Sequence, residues 1–503
     1  MVQKDKRIKY KFLGDNKGIS GNTNEAIKMA TGDFISLLDH DDILEITALF
    51  EIVKVINDNP DVDFIYTDED KFHFLDEPYF APHFKPDYAP DTLRANNYIC
   101  HYSVIRKDLL EKVGGFRSEF DGAQDFDLIL RISEKANKMY HIPKVLYHWR
   151  IHKNSTAMSQ EAKPYAIIAG KKAIEAHLER VGLKGKVFEG INIGTYGIDY
   201  EIKGNPKVSI IIPNKDGKDI LENCINSILE KTIYSNYEII IVENNSETGE
   251  IFEYYNNLLQ KNKIRIVNYN TGKEIKNEQE CSIEYTNKNK REVKPGFNYS
   301  SIINFGVKNS EGDFIVQLNN DTELITPNWI EKMLGFAQRE DVGAVGVKLY
   351  YPDETIQHAG IMVGVNTVAA HMFRGLSKEQ QGYFGRENLI QNMNAVTAAC
   401  MKTKKSIYEE IGYMNEKFAV AFNDIDFCLK IRETGKLIVY NPFVEFVHYE
   451  SKTRGDDNTP ENLERFQNEI NLFLEIWKDK LTNGDEYYNK NLSLDSDKYD
   501  IKI

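Results

Sequence analysis

Cysteine is scarce in this sequence, and its placement excludes two kinds of site. Five cysteines occur in 503 residues. They lie far apart and include no CxxC pair: Cys100, Cys224, Cys281, Cys400 and Cys428. An odd, scattered set argues against a disulfide framework and against a zinc site, and it favours a reducing compartment.

Long apolar runs and an excess of positive charge are also missing. No segment approaches the length of a membrane-spanning helix, and the first residues, MVQKDKRIKYKF, lack the apolar core of a signal peptide. The formal net charge of -14 does not suit electrostatic binding of nucleic acid or of an anionic membrane. We expect a cytoplasmic globular protein with no transmembrane segment, associated at most peripherally with the inner face of the cell membrane.

Several catalytic motifs are absent. The sequence has no GxxxxGK[ST] loop, no GxGxxG after a strand, no HExxH and no GxSxG. The sequence therefore gives no support for a kinase, a dehydrogenase, a zinc protease or a serine hydrolase. A nucleotidyltransferase would need a glycine-rich, basic loop after its first strand, and PNKDG at 213–217 is a poor match.

Three blocks of sequence occur twice, in the same order. NEAIKMATGDFISLLDHDDILEI at 24–46 matches NFGVKNSEGDFIVQLNNDTELIT at 304–326 without a gap. QDFD at 124–127 resembles NDID at 423–426, and a histidine follows a short apolar strand at positions 148 and 448. Such repetition predicts two copies of one fold.

The second copy opens with a strand–helix–strand pattern. The apolar runs VSIIIPN at 208–214 and YEIIIV at 237–242 are typical of buried parallel strands, and a helical pattern over about 219–231 separates them. The first copy begins near Ile8 without such a unit. We predict an α/β fold with two domains on mostly parallel sheets, the first lacking its N-terminal strand–helix–strand unit through truncation rather than through loss of function.

The flanks of the repeats set the expected domain boundaries. We expect a first domain over 1–163, a linker helix and connector over 164–205, a complete second domain over 206–455, and a C-terminal helix and tail over 456–503. The polar stretch 271–295 predicts a mobile surface insertion. Thr459-Pro460 predicts the start of the last helix. An apolar stripe predicts that this helix packs on the second domain: Leu463, Phe466, Ile470, Phe473 and Trp477.

Acidic and amide residues end a strand in each copy. DHDD at 39–42 follows DFISLL, and NND at 319–321 follows DFIVQL. Ligands bind beyond the carboxyl ends of strands in open α/β sheets, where carboxylates can hold Mg²⁺ or Mn²⁺ beside a diphosphate. Turn formation is the alternative for either motif alone, and recurrence in two copies favours the functional interpretation.

Two further positions carry candidate chemistry. Asp424, with Asp125 as its equivalent, begins a predicted helix and is either a helix cap or a general base for an acceptor hydroxyl. His448 precedes Lys452 and Arg454, two cations that suit a diphosphate. A structural role is the alternative for a single histidine, but a neutral imidazole there could complete a metal's ligand set beside Asp321.

The second copy resembles a glycosyltransferase family 2 catalytic domain of the GT-A fold. The resemblance rests on VSIIIPNKDG, YEIIIVENNSE, GDFIVQLNNDTELITPNWIEKM, ETIQHAGIMVG, VAFNDIDFCLKI and VHYESKTRG. The first copy resembles the same family through GISGNTNEAIKMATGDFISLLDHDD, QDFDL and LYHWRIHKNSTA. The tandem arrangement is similar to that of enzymes that build O-antigen, capsule or cell-wall polysaccharide, rhamnose-containing ones among them.

The resemblance implies roles for individual residues. Asn319 stands where the family's DxD motif has its first Asp, and Glu243 stands where the family usually has an Asp. Donor-binding positions are Pro213, Asn214, Asp216, Glu243, Asn245, Asn319, Lys452 and Arg454. Metal positions for Mg²⁺ or Mn²⁺ are Asp321 and His448, with Asp39, Asp41 and His148 in the first copy. The general bases are Asp424 and Asp125.

The implied activity is inverting, metal-dependent hexosyl or deoxyhexosyl transfer from a UDP- or dTDP-sugar to a growing cell-surface glycan that is lipid-linked. A non-catalytic carbohydrate-binding or scaffold protein built on degenerate transferase domains is the alternative. The Asn319 substitution and the incomplete first copy favour that alternative, whereas the retained Asp321, Asp424 and His448 oppose it.

Overall fold

A computed structural model describes residues 5–151, 164–286, 297–450 and 459–502. The chain divides into two compact units, Met1–Asp199 with Glu486–Leu492, and Tyr200–Asp485 with Ser493–Ile503. The stretch 164–199, predicted as linker and connector, thus belongs to the first unit. Part of the predicted C-terminal tail also belongs to the first unit.

The first unit contains a mixed sheet with helices packed on it. Its helices are α1 (Gly18–Met29), α2 (Ala48–Asp58), α3 (Pro90–Ala95), α4 (Lys107–Val113), α5 (Gln124–Ser133) and α6 (Pro164–Arg180). Its strands are β1 (Phe34–Ser36), β2 (Ile43–Leu44), β3 (Phe64–Phe72), β4 (Phe80–His83), β5 (Ser103–Arg106), β6 (Met139–Arg150), β7 (Gly185–Glu189) and β8 (Tyr196–Tyr200, which ends at the boundary). On α2, Ala48, Ile52 and Val55 recur at helical spacing and pack in the core.

The second unit contains a larger sheet. Its helices are α7 (Lys218–Lys231), α8 (Gly249–Leu258), α9 (Glu278–Thr286), α10 (Tyr299–Lys308), α11 (Trp329–Ala337), α12 (Lys405–Glu410), α13 (Asn423–Glu433), α14 (Pro460–Ile476) and α15 (Lys478–Asn483). Its strands are β9 (Val208–Asn214), β10 (Tyr237–Glu243), β11 (Ile264–Asn268), β12 (Glu274–Ile275), β13 (Phe314–Leu318), β14 (Thr322–Leu324), β15 (Val342–Tyr350), β16 (Ile356–His358), β17 (Ile361–Val363), β18 (Ala369–His371), β19 (Gln391–Met393), β20 (Cys400–Lys404) and β21 (Leu437–His448).

Strand order confirms the predicted α/β class and corrects its detail. The first unit has the order β1-β5-β3-β6-β2, and the second has β12-β11-β10-β9-β13-β20-β15-β21-β14. Parallel pairing joins β11, β10, β9 and β13, whereas β20 and β14 pair antiparallel with their neighbours. In the first unit only β3 and β6 pair in parallel among the described strands. The sheets are therefore mixed, with parallel and antiparallel pairs in each.

The buried strands β9 and β10 depend on close packing by α10. Both strands are apolar along most of their length, as expected for strands covered on two faces. A Cβ on Gly306 of α10 would lie 2.4 Å from Ile211 Cγ2 and 2.9 Å from Val242 Cγ2. Only glycine allows this helix to approach the sheet so closely, and that approach fixes the strand ends that form the site.

The C-terminal helix α14 is capped as the sequence predicts, but only half of its apolar stripe packs. Thr459 Oγ1 accepts a hydrogen bond from the Asn462 amide. Phe473 and Trp477 are buried, whereas Leu463 and Phe466 are 53% and 45% exposed. In the polar stretch 271–286 the chain forms β12 and α9, and the rest of that predicted insertion lies outside the described residues. No helix in the described ranges has the length and apolarity needed to cross a bilayer.

Candidate active site

The ends of β9 and β13 lie at the point where the strand order reverses. Successive strands β10 and β11 lie on one side of β9, and β13 lies on the other. Here Asn320 Nδ2 donates to Asn214 Oδ1 over 2.7 Å, next to the half-buried Pro213. In doubly wound sheets nucleotides bind in a crevice at such a switch point, and the predicted positions Pro213 and Asn214 lie there.

Glu243, at the end of β10, is fully buried. Its carboxylate accepts hydrogen bonds from the Ser246 amide (2.7 Å), the Ser246 hydroxyl (2.6 Å) and the Tyr255 hydroxyl (2.7 Å). These bonds satisfy a buried charge and shape the loop after β10. The structure thus places Glu243 at the predicted strand end, where it organises the crevice through its neighbours.

Asp216 and Asn245 line the same loops with left-handed backbones, at φ 49° and 63°. Asp216 Oδ1 accepts from the amides of Glu247 and Thr248, at 2.8 and 2.9 Å. Asn245 Oδ1 accepts from Asn270 Nδ2 over 2.6 Å. Asp216 therefore joins the loop after β9 to the loop after β10, and Asn245 joins the loop after β10 to the loop after β11.

The structure brings Asp321, His448 and Asn319 together. Antiparallel pairing of β14 with β21 sets Thr322 opposite His448. His448 Nε2 then lies 3.0 Å from Asp321 Oδ1 and 3.3 Å from Asn319 Nδ2. On the other side of the ring, Nδ1 lies 2.7 Å from Gln357 Oε1. Two candidate metal ligands predicted from distant parts of the sequence thus face one another.

The geometry of this pair fits a divalent cation. Because Gln357 Oε1 can only accept, Nδ1 of His448 carries the proton in the neutral ring, which leaves a lone pair on Nε2. That lone pair faces a carboxylate oxygen, so a divalent cation between the two atoms would bind both. Adjacent ligands of an octahedral Mg²⁺, each about 2.1 Å from the ion, lie about 3 Å apart, which matches the 3.0 Å separation of Asp321 Oδ1 and Nε2.

Asp424 is half-buried at the first turn of α13. Its Oδ1 accepts from the Ile425 amide over 2.9 Å, and its Oδ2 accepts from the Ala398 amide over 3.2 Å. The next residue, Ala399, accepts through its carbonyl from the Asn319 amide over 3.0 Å. The segment Ala398–Ala399 therefore places the predicted base beside the predicted metal motif.

A brace from the C-terminal helices, which the sequence did not reveal, holds the start of α13. The buried carboxylate of Glu469 accepts from the amides of Val420 and Ala421, at 2.8 and 3.1 Å. Trp477 Nε1 donates to Asp426 Oδ1 over 2.9 Å. Asp426 thus joins α13 to the C-terminal helices, and α14 fixes the loop that presents Asp424.

Two histidines beside this site were also missed by sequence reasoning. His358 Nδ1 lies 3.1 Å from His371 Nδ1. Burial lowers the pKa of both imidazoles, so both rings are neutral near pH 7. His358 lies in ETIQHAGIMVG, a stretch on which the family resemblance rests, but that stretch gives neither histidine a role.

The corresponding residues of the first unit are arranged differently. His148 Nδ1 lies 2.6 Å from Asp70 Oδ1, and Nε2 lies 3.4 Å from Glu45 Oε2. Burial opposes the charged ring, but Asp70 and Glu45 outweigh it and raise the pKa of His148. Asp39 is exposed and Asp41 half-exposed. In the described parts of the chain, these two aspartates and His148 do not form a group whose ligand atoms all lie within 4.8 Å of one another.

Asp125, the first-unit equivalent of Asp424, is half-buried and accepts from Asn97 Nδ2 over 3.0 Å. Nearby, potential ligand atoms of Glu69, Cys100 and His101 lie within 4.8 Å of one another. The buried Lys85 ammonium lies 3.2 Å from Glu69 Oε2 and already balances its charge. We interpret this group as an ion-paired core cluster.

Lys452 and Arg454, predicted to contact the diphosphate, lie outside the described residues. The evidence for their role in binding the diphosphate is therefore the sequence alone. The remaining candidate residues of the second unit lie at the carboxyl ends of β9, β10, β13 and β21 and at the start of α13.

Comparison with known proteins identifies the class of this protein. Residues 206–465 match the family described as glycosyltransferase like family 2, and residues 1–114 match glycosyl transferase family 2. The chain belongs to glycosyltransferase family 2, as the motifs predicted.

Two curated proteins are similar to this chain over almost its whole length. The chain is 40% identical over 496 residues to the uncharacterized protein y4gI of Sinorhizobium fredii, covering 98% of this chain and 52% of that protein. It is 32% identical over 495 residues to the O-antigen biosynthesis protein RfbC of Myxococcus xanthus, covering 98% of this chain and 36% of that protein. The chain thus spans about half or less of the length of these relatives.

Among solved structures, the chain is similar to the mannosyltransferase PcManGT from Pyrobaculum calidifontis in complex with GDP-Man and Mn²⁺. The TM-score is 0.34, with 13% identity, covering 50% of this chain and 59% of that one. It is also similar to GalNAc-T7 with UDP, GalNAc and Mn²⁺. There the TM-score is 0.41, with 11% identity, covering 58% and 52% of the two chains.

Proposed function

We propose that the second unit transfers a sugar from a nucleoside-diphosphate sugar to a hydroxyl of a glycan, with inversion at the anomeric carbon. One observation carries this proposal: Ala398 contacts Asp424 and the adjacent Ala399 contacts Asn319, so a carboxylate base lies beside a cation site at a nucleotide crevice. A base, a cation site and a nucleotide crevice are the three elements that direct displacement of a diphosphate needs.

In this mechanism the crevice at Pro213, Asn214, Asp216 and Asn245 holds the nucleotide. Asp321 and His448 would hold Mg²⁺ or Mn²⁺, and a bound divalent ion supplies charge neutralisation for the leaving diphosphate. Asp424 accepts the proton of the acceptor hydroxyl as its oxygen bonds to the anomeric carbon. The bond from that carbon to the diphosphate oxygen breaks at the same time, which inverts the configuration.

The acceptor that we propose is a cell-surface glycan. The protein RfbC of Myxococcus xanthus, similar over 98% of this chain, is described as an O-antigen biosynthesis protein. Enzymes of such pathways extend lipid-linked chains, so we propose a lipid-linked acceptor reached at the inner membrane face. A UDP- or dTDP-hexose or deoxyhexose is the proposed donor.

For the first unit, the sequence proposes Asp39, Asp41 and His148 as metal residues and Asp125 as base. We assign turnover to the second unit, because His148 is already engaged by Asp70 and Glu45.

Nucleoside diphosphate release from UDP-, dTDP- and GDP-sugars, with Mn²⁺ and with EDTA, tests this function. We expect metal-dependent release from one donor class by the wild-type chain and little release by Asp321→Asn. Binding of a glycan without release from any donor would instead favour the scaffold alternative.

A further inference from the structure

The side chains of His358 and His371 form a pair that the proposed mechanism does not yet use. His358 is fully buried at the end of β16, and His371 is half-buried at the end of β18. Their rings cross nearly at right angles, at 74°, with centroids 4.9 Å apart. Their Nδ1 atoms are 3.1 Å apart, so exactly one of the two nitrogens must carry a proton.

The backbone determines which nitrogen carries that proton. The Thr397 amide donates to His358 Nε2 over 3.5 Å, so Nε2 is the accepting nitrogen of that ring. His358 therefore holds its proton on Nδ1 and donates it to Nδ1 of His371. In the neutral state His371 must then carry its own proton on Nε2, on the side of the ring away from His358.

The histidine pair lies beside the proposed base. The Thr397 amide contacts His358, and the next amide, that of Ala398, contacts Asp424. The charge of Asp424 acts on His371, where it opposes the effect of burial on the pKa of that ring. A single dipeptide thus holds His358, the hydrogen-bond partner of His371, next to the carboxylate of Asp424.

We propose that His371 is a substrate-binding residue whose Nε2–H donates to a hydroxyl oxygen of the acceptor sugar adjacent to the reacting hydroxyl. This inference rests on the proposed function of the second unit. A vicinal diol presents one hydroxyl to be deprotonated and one oxygen to accept a hydrogen bond, which matches the pair formed by Asp424 and His371. His358 is a positioning residue that fixes the tautomer of His371.

The tautomers can be measured without any substrate. Long-range ¹⁵N–¹H correlation spectra of the full chain should show a protonated Nδ1 for His358 and a protonated Nε2 for His371. His358→Asn, whose amide can donate from the position of Nδ1, should keep the His371 tautomer, whereas His358→Leu should lose it. A protonated Nδ1 on His371 in the wild-type chain overturns the inference.

Kinetics tests the role of His371. The probes are methyl glycosides with vicinal hydroxyls and their singly deoxygenated counterparts, used with the donor that supports nucleoside diphosphate release. For His371→Ala the acceptor KM should rise about tenfold, the loss expected for one hydrogen bond between neutral groups. His371→Gln retains an N–H near the position of Nε2, so its acceptor KM should be close to that of the wild-type chain.

Deoxygenation supplies the matched control. Removal of the neighbouring hydroxyl should raise the acceptor KM about tenfold for the wild-type chain and leave it unchanged for His371→Ala. Equal KM values for wild type and His371→Ala, or no response to any glycoside while release is intact, overturn the assignment. Absence of release from every donor overturns the proposed function instead, and the tautomer spectra still decide the arrangement of the histidines.

Discussion

The Nδ1–H of His448 donates to Oε1 of Gln357 over 2.7 Å, and the opposite ring nitrogen faces Asp321 at 3.0 Å. Gln357 thus fixes both the orientation and the tautomer of a proposed metal ligand. Such outer partners set the basicity of a ligating imidazole and its readiness to bind.

Replacement of Gln357 by methionine should weaken metal binding. Methionine has similar volume but no acceptor for Nδ1–H, so His448 is free to rotate or change tautomer. We expect the affinity for Mn²⁺ to fall about 10–100-fold, measured by isothermal titration. Gln391→Met removes another buried glutamine, one that bonds to the Arg386 carbonyl, and should leave the Mn²⁺ affinity unchanged. An unaltered affinity in Gln357→Met would mean that His448 is not a ligand.

Asp424→Asn tests the proposed base. The asparagine can still accept from the Ala398 amide, so the fold and donor binding should persist. Without a proton acceptor, turnover should fall by about 10²–10⁴, measured as sugar transfer, with donor affinity measured separately. Asp125→Asn is the equivalent change in the first unit and should retain turnover. Near-normal transfer by Asp424→Asn would remove this residue as the base.

Lys402, in β20, gives a prediction for stability against pH. Its side chain is fully buried and donates to the Ile330 carbonyl over 3.1 Å. Burial lowers its pKa to about 7, whereas the unfolded pKa is about 10.4. Between these values the unfolded state binds a proton that the folded state lacks, so the free energy of unfolding should rise with pH from about 7 to 10. Below pH 7 both states are protonated, and the slope from this group vanishes.

Lys402→Met removes that slope. The variant should be more stable than wild type at pH 6–7 by about 2–4 kcal/mol, less than the full pKa shift implies because the Ile330 carbonyl loses its donor. The difference in the free energy of unfolding between Lys402→Met and wild type should be smaller at pH 9. Urea unfolding at pH 6, 7 and 9 measures both effects, with the exposed Lys417→Met as control. A constant difference between Lys402→Met and wild type across these pH values would contradict an abnormal pKa.

The brace on α13 can be tested at Glu469. Glu469→Ala leaves the amides of Val420 and Ala421 without their acceptor, and we expect a loss of about 2–4 kcal/mol in the free energy of unfolding. Turnover should fall as well, since this loop leads to Asp424. Thermal unfolding and kcat measure the two effects. Glu464→Ala, an exposed change on the same helix, should alter neither, and an unchanged kcat in a folded Glu469→Ala would confine the residue to a structural role.

The sequence predicted the parts of the fold that depend on local pattern. The runs at 208–214 and 237–242 correspond to β9 and β10, and the helix predicted from about 219 begins at Lys218. Continuous burial leaves a clear apolar signal in these segments. The antiparallel placement of β20 leaves no such signal, because pairing partners are set by tertiary contacts.

In the candidate site, too, some residues could be predicted from the sequence and others could not. Asp321, Asp424 and His448 stand out by residue type at strand and helix ends. Gln357 and Glu469 do not, because their importance comes from hydrogen bonds to partners distant in sequence. The exposed Leu463 and Phe466 show the converse: an apolar stripe predicts a buried face, but the packing of α14 covers only its C-terminal half.

The main-chain amides of Thr397 and Ala398 link His358 to Asp424. A main-chain N–H is present whatever the side chain of the residue. The residues at these two positions can therefore differ between related proteins without loss of these hydrogen bonds, as long as the new side chain fits the space. Proline is the exception, because it has no N–H to donate. Within a saturation library at 397 and 398, proline should stand apart as the change that disconnects the base from its neighbouring histidine.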